Sequence, residues 1–441
     1  MRLSILSLML SMSLLFTSVA TTARAVSLIR DADIEHSLDQ LAAPILRAAG
    51  LSPSGVRILI VNDSGLNAFV INGRAIFIHS GLLQRLTTAE QLQSVIAHEA
   101  AHIANGHITR RLTNLRGSRN AAGFGMALAL AVALASDNGA AVAGVAAGAT
   151  GAAQRLFFAH TRAEESAADQ SAVRFMLRAG VNPQGALEVL DLFRGQEALS
   201  VSRQDPYTRT HPLTSDRLRA MRGLIAANPG NAEDNPTAQY WFLRAQGKLG
   251  AFIQNPGWTL RRVRGDNSAL ATMRRAVAYH RQADANRAIS AMQTLIASAP
   301  NDAYWYELYG QILLESRQTM PAVQAYQNAV ALNGNEPLIF GGYGRALLSL
   351  NTNDSNARAV RALERARALD GQSSAILRDL GQAYARTGKP GLASLATAER
   401  YALQGRIDDA VVHATRASDR LPRGSAPWQR AQDVLSAAQP S

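Results

Sequence analysis

His98 and His102 are spaced to bind one metal ion, and Glu99 stands beside them in the stretch His98-Glu99-Ala100-Ala101-His102. The surrounding run, Leu92 to Ile108, reads as one apolar-faced helix. Residues four apart on a helix share a face, so both imidazoles can reach the same point. Glu99 follows His98 by one position and tilts toward the place a water would occupy. This is the H-E-x-x-H pattern, in which two His bind zinc and the Glu is the general base. The bland alternative is an accidental match on a solvated face. Val95-Ile96-Ala97 before the motif and Ile103-Ala104 after it argue against that, because they bury the helix. Each buried polar group left unpaired costs about 1–3 kcal/mol, and a metal supplies the partner.

Zinc in a catalytic site takes three protein ligands and keeps one position open. The chain has 0 Cys, so the third ligand must be another His or a carboxylate. Thr161 to Leu177 reads as a helix carrying Glu165-Ser166-Ala167-Ala168-Asp169, with Glu165 and Asp169 on one face. Glu165 can be the third ligand, and Asp169 can accept the second ring N–H of a ligand His. Glu164 points elsewhere and fits an exposed acidic face. A related zinc geometry needs a His six residues beyond His102, where Ile108 stands. His107 falls one residue short and reads as a surface or packing residue.

The elements that must position these residues are legible around them. Ile34, Leu38, Leu41 and Ile45 recur at helical spacing, with Pro44 predicting a kink or two short helices. Val56 to Val61 reads as a strand. Asn67 to Ile71 and Arg74 to Ile78 flank Asn72-Gly73, a hairpin signal. Thr87-Thr88-Ala89-Glu90 reads as a capping box that opens the metal-binding helix. Residues 121–153 are apolar and rich in Gly and Ala, which predicts a helical hairpin near the site or, alternatively, a peripheral membrane contact.

The 441 residues allow two or three domains, and 47 % hydrophobic with 18 % charged is globular composition. Residues 1–25 read as a signal peptide, with Arg2, an apolar run from Leu3 to Phe16, and the small-x-small site Ala23-Arg24-Ala25. Export into a bacterial periplasm is the expectation. The net charge of +12 is spread over isolated Arg, which with export argues against a nucleic-acid partner. After a zinc-binding domain over 26–225, residues 226–267 read as a linker and connecting helix, and 268–441 as repeats. Around Gly310, the residues Tyr306, Leu313, Ala322, Tyr326 and Ala329 fall on tetratricopeptide positions, and Gly344 follows one 34-residue period later. Such an array presents a concave surface to partners. Its nearest-neighbour contacts predict that a chain ending near Asn228 keeps the metal site.

These motifs together resemble the HtpX and CAAX-prenyl-protease group of zinc metallopeptidases. The likeness is carried by HEAAH, by Thr161-Arg162-Ala163-Glu164-Glu165-Ser166-Ala167-Ala168-Asp169, by Asn67-Ala68-Phe69 and Gly81-Leu82-Leu83, and by Thr210-His211-Pro212. The export signal and repeats point to its β-barrel assembly-enhancing branch. The resemblance implies an α+β, gluzincin-like zinc metallopeptidase domain followed by an all-α tetratricopeptide-repeat solenoid. It implies one zinc ion on His98, His102 and Glu165, with Glu99 as the base. It also implies that His211 can reach the zinc, either as a latch or as an oxyanion donor. Substrates would be unfolded or misassembled proteins, outer-membrane β-barrels among them, with the outer-membrane assembly machinery as partner. Extended substrate is expected to add as a strand at Asn67, Ala68 and Phe69. This sequence lacks the long transmembrane helices of the membrane-embedded branch, so that branch's prenyl-protein substrates do not carry over. The competing class is a non-proteolytic chaperone or scaffold in which the repeats do the work.

Overall fold

The computed structural model describes residues 27–110, 161–199, 203–229 and 235–438. The expected signal peptide and the apolar stretch 121–153 lie outside the described residues. A four-stranded sheet comprises β1 (Leu28–Ile29), β2 (Arg57–Val61), β3 (Ala68–Val70) and β4 (Ala75–His79), in the spatial order β1-β2-β4-β3. The hairpin at Asn72-Gly73 joins β3 to β4, with Phe69 opposite Phe77. Asn72 Oδ1 accepts from the Arg74 N–H at 3.0 Å, a local bond that fixes the turn. β4 runs parallel to β2 inside the sheet and is buried along its whole length, whereas β3 is an edge.

Helix α1 (Ala32–Ala48) runs as one helix through Pro44, so of the kink or two short helices that the sequence predicted there, the two short helices do not form. Ile34, Leu38, Leu41 and Ile45 bury one stripe of it, and that burial outweighs the lost backbone bond. The short α2 (Ser80–Arg85) leads to α3 (Ala89–Ala104), which carries HEAAH. Thr88 caps α3, and Gln91 takes the role expected of Glu90: its Oε1 accepts from the Thr87 N–H at 2.7 Å. The cap is therefore one residue later than Thr87–Glu90. Gly106, at φ +69, ends the run that the sequence extended to Ile108. The domain continues through α4 (Arg162–Arg178), α5 (Gln184–Leu192), α6 (Pro206–Thr210), α7 (Ser215–Ala227) and α8 (Pro236–Ile253).

Helix α8 falls where the sequence suggested a linker and connecting helix, yet it completes the peptidase-side core. Phe242, Ala245 and Leu249 are buried in one cluster with Leu38, Ile76 and Val95. Gln246 donates to the Leu83 and Leu86 carbonyls at 2.8 and 2.7 Å. A chain ending near Asn228, which the sequence expects to keep the metal site, would lack Phe242, Ala245 and Leu249 from this core.

After α9 (Pro256–Arg262) come helix pairs: α10 (Ala269–Arg281) with α11 (Ala285–Ser298), α12 (Ala303–Glu315) with α13 (Thr319–Leu332), and α14 (Pro337–Leu350) with α15 (Asn353–Leu369). Then follow α16 (Ser374–Arg386) with α17 (Pro390–Leu403), and α18 (Ile407–Arg420) with α19 (Ala426–Ala437). Two of the repeat glycines, Gly310 and Gly344, are steric necessities. A Cβ on Gly310 would lie 2.7 Å from the Tyr326 ring, and one on Gly344 would lie 2.4 Å from Leu363.

The repeats close on the peptidase domain's own N-terminal segment. Ala32 packs with Ala303, Tyr304, Ala329 and Ile339. Arg244 of α8 bridges Asp33 and Asp302, each at 2.6 Å, while its guanidinium lies 3.7 Å from the Trp305 ring centroid. Arg30 reaches Asp370 at 2.8 Å, and Lys248 reaches Asp31 at 2.9 Å. A cavity of about 580 Å³ remains between the two parts, lined by Arg30, Phe252, Glu307, Tyr326, Arg345 and Ile376 among others. Part of the surface expected to face partners is thus covered from within the chain.

Candidate metal centre

Local signals place each side chain. The Thr88 cap sets the phase of α3, so that His98, Glu99 and His102 are all buried against α4. In α4, Thr161 and Glu164 form a complete capping box: Thr161 Oγ1 accepts from the Glu164 N–H at 3.2 Å, and Glu164 Oε2 accepts from the Thr161 N–H at 3.1 Å. Glu164 is thereby engaged at the helix end. Glu165, one residue on, is fully buried and faces the two imidazoles.

His98 Nε2 lies 3.1 Å from His102 Nε2. Glu165 Oε1 lies 3.3 Å from His102 Nε2, and its Oε2 lies 3.4 Å from His98 Nε2. Donors about 2.0–2.2 Å from a tetrahedral zinc stand roughly 3.3–3.6 Å apart. The three groups therefore already have nearly the spacing of one face of a zinc tetrahedron. Two imidazoles and a carboxylate are also a donor set that zinc accepts. His211 joins them, and the four residues offer ligand atoms within 4.8 Å of one another.

Electrostatics prepares the same donors. Burial pulls the His102 imidazole down to about 3, so it is neutral and able to ligate. Burial also pulls on His98, but the Glu165 carboxylate and Asp169 outweigh it and raise His98 to about 10. Burial opposes ionisation of Glu165, yet His211, Arg217 and His98 hold its carboxyl well below the usual range. Burial pushes Glu99 upward, which makes its carboxylate a stronger base. Among the described residues neither Glu99 oxygen makes a hydrogen bond, and Oε1 lies 3.4 Å from His211 Nε2.

Asp169 Oδ1 lies 3.1 Å from His98 Nδ1, on the ring edge away from the cluster. Behind it stands Arg217, which sequence reasoning did not single out. Its Nε and Nη2 donate to the two Asp169 oxygens at 2.8 Å each, and its Nη1 lies 2.7 Å from Glu165 Oε2. One sequence signal could have found it: a cation in the first turn of α7 opposes the helix dipole and needs another reason to be there. His107 is also not on the surface. It is 2 % exposed, and its Nδ1 lies 2.9 Å from His102 Nδ1.

The His211 loop closes the site. The Tyr207 N–H donates to the Leu66 carbonyl at 3.0 Å, and the Tyr207 ring sits 4.6 Å from both Phe193 and His211. Thr210 Oγ1 donates to Asn67 Oδ1 at 3.2 Å. His211 Nδ1 lies 3.0 Å from Glu165 Oε1, and its Nε2 lies 3.2 Å from the Ala68 carbonyl. The edge strand at Asn67, Ala68 and Phe69 is therefore beside the cluster, with the Ala68 carbonyl facing His211. Phe69 stacks on Phe77 at 5.3 Å and anchors that strand.

Residues 29–225 match the family described as Peptidase family M48. The chain is 26% identical over 430 residues to a β-barrel assembly-enhancing protease of Escherichia coli K12, covering 90% of this chain and 81% of that one. It is 24% identical over 412 residues to the protein of that name in Yersinia pestis, covering 90% and 82%. Among solved structures, MamA is similar at 19% identity and a TM-score of 0.30, covering 37% of this chain and 91% of MamA. A thermophilic tetratricopeptide protein of Thermus thermophilus is similar at 16% identity and a TM-score of 0.27, covering 38% of this chain and 100% of its own.

Proposed function

Since residues 29–225 match Peptidase family M48, and the chain is similar to β-barrel assembly-enhancing proteases over 90% of its length, we propose that it is an exported zinc endopeptidase for unfolded or misassembled proteins. Outer-membrane β-barrel proteins are the client class, and the periplasm is the compartment. The observation that carries the reading is the triangle of His98, His102 and Glu165, with Glu99 beside it.

His98, His102 and Glu165 hold the zinc. When bound, zinc polarises a scissile carbonyl and acidifies water. Glu99 takes the proton of the attacking water and returns it to the leaving nitrogen, a role that its burial favours. Asp169 keeps the His98 ring aimed, and Arg217 keeps both carboxylates ionised. Extended substrate pairs with the edge strand at Asn67, Ala68 and Phe69, which favours unfolded chains over folded ones. For that pairing His211 must release the Ala68 carbonyl, so the latch reading of His211 is preferred over the oxyanion reading.

The test is digestion of casein by purified protein, with metal analysis, beside Glu99→Gln. Cleavage should fall about 10²–10⁴-fold with zinc content unchanged. If Glu99→Gln cleaves as the wild type does, or supports client assembly equally well, the scaffold reading replaces this one.

A further inference from the structure

The ring nitrogens of His98 and His102 that face away from the Glu165 cluster have unlike partners. His98 Nδ1 faces the Asp169 carboxylate at 3.1 Å, whereas His102 Nδ1 faces another imidazole nitrogen, His107 Nδ1, at 2.9 Å. A 2.9 Å contact between two ring nitrogens requires one of them to carry the proton. His102 Nε2 is turned to His98 Nε2 and Glu165 Oε1, so a metal-binding His102 must leave Nε2 bare and hold its proton on Nδ1. His107 Nδ1 is then the acceptor.

The chain is bent to make this contact. On an unbroken helix, position 107 would sit about 140° around from position 102, away from its ring edge. Helix α3 stops at Ala104, Gly106 adopts φ +69, and the Gly106 N–H donates to the Ile103 carbonyl at 3.0 Å. The chain resumes helical geometry at His107, whose ring is 2 % exposed and 5.0 Å from that of His102. A φ of +69 is strained for any residue with a Cβ, so Gly106 is what allows the bend.

We propose that His107 is a positioning residue for zinc: its Nδ1 accepts the Nδ1–H of His102 and fixes the tautomer that presents His102 Nε2 to the ion. The proposal rests on His98, His102 and Glu165 being the ligands. His107 touches neither ion nor substrate and acts only through His102.

Zinc affinity, measured by chelator competition on the full chain, reads this directly. His107→Phe keeps a ring of similar size and removes the acceptor. His107→Asn places Oδ1 close to where Nδ1 stands. We expect His107→Phe to weaken zinc binding about 10–100-fold and His107→Asn to recover most of that loss. The melting temperature of both variants in EDTA should stay near that of the metal-free wild type. Equal affinity of His107→Phe and wild type overturns the proposal, and so does a His107→Asn no better than His107→Phe. A His107→Phe that fails to fold leaves the wild type to decide, through ¹⁵N-histidine NMR of the zinc-loaded protein. His102 protonated on Nδ1 and bound through Nε2 supports the assignment, and the opposite tautomer overturns it. A wild type that binds no zinc sinks the ligand reading itself, an outcome distinct from the other two.

Discussion

Replacing Arg217 by Met removes the cation that two buried carboxylates share. The Arg217 side chain is 5% exposed and contacts both Asp169 oxygens at 2.8 Å and Glu165 Oε2 at 2.7 Å. Met keeps most of the aliphatic volume, so the loss is chiefly electrostatic. Breaking a buried ion pair from one side costs about 3–5 kcal/mol, because the remaining charge stays buried without compensation. Urea unfolding in EDTA near pH 7 should register that loss. Combining Arg217→Met with Asp169→Asn should recover about 1–3 kcal/mol, since one stranded charge is then gone. Burial opposes ionisation of Asp169 and Glu165, yet Arg217 helps hold both carboxyls below their ordinary values. A carboxyl depressed in the folded state stabilises above its unfolded value, and that stability disappears as pH falls through the folded value. The wild-type advantage should therefore be full near pH 7 and shrink below about pH 4. A deficit under about 1 kcal/mol near pH 7, or one that grows on acidification, would refute the shared-cation account.

Glu165→Ala should strip zinc and abolish the melting-temperature rise that zinc produces, whereas Glu164→Ala should keep the metal because Glu164 is engaged in the α4 cap. The reverse result in metal analysis would mean that the carboxylates are assigned the wrong way round. His211→Ala should raise basal cleavage of clients or of the protease itself if the ring is a latch. Lower turnover with zinc intact would make it an oxyanion donor, and unchanged activity would remove it from the site. A chain stopped at Asn228 should be far less stable than one stopped at Gln254, because burying Phe242 and Leu249 alone contributes about 3–6 kcal/mol. Equal melting curves for the two truncations would exclude α8 from the core.

The parts of this protein that were legible in the sequence are those governed by local geometry. A 3.6-residue turn places His98 beside His102, and Glu165 on the face of Asp169, whatever the rest of the chain does. Asn72-Gly73 announces a hairpin because its turn conformation is local. Gly310 and Gly344 are visible through their 34-residue period, since each sits where a Cβ would meet a neighbouring side chain. Tertiary structure decided what local geometry leaves free. Arg217 has no spacing relation to Glu165 or Asp169, and only the packing of α7 on α4 brings it there. His107 reads as a near miss until the Gly106 bend turns it under His102. The apolar stripe of α8 would suit a repeat or a peptidase core equally well. It joins the core because Phe242 and Leu249 fill the space beside α1, while Arg244 and Lys248 on the same helix satisfy acids on both sides. Periodicity states which face of an element is buried. Only packing between segments distant in sequence determines what that face is buried against.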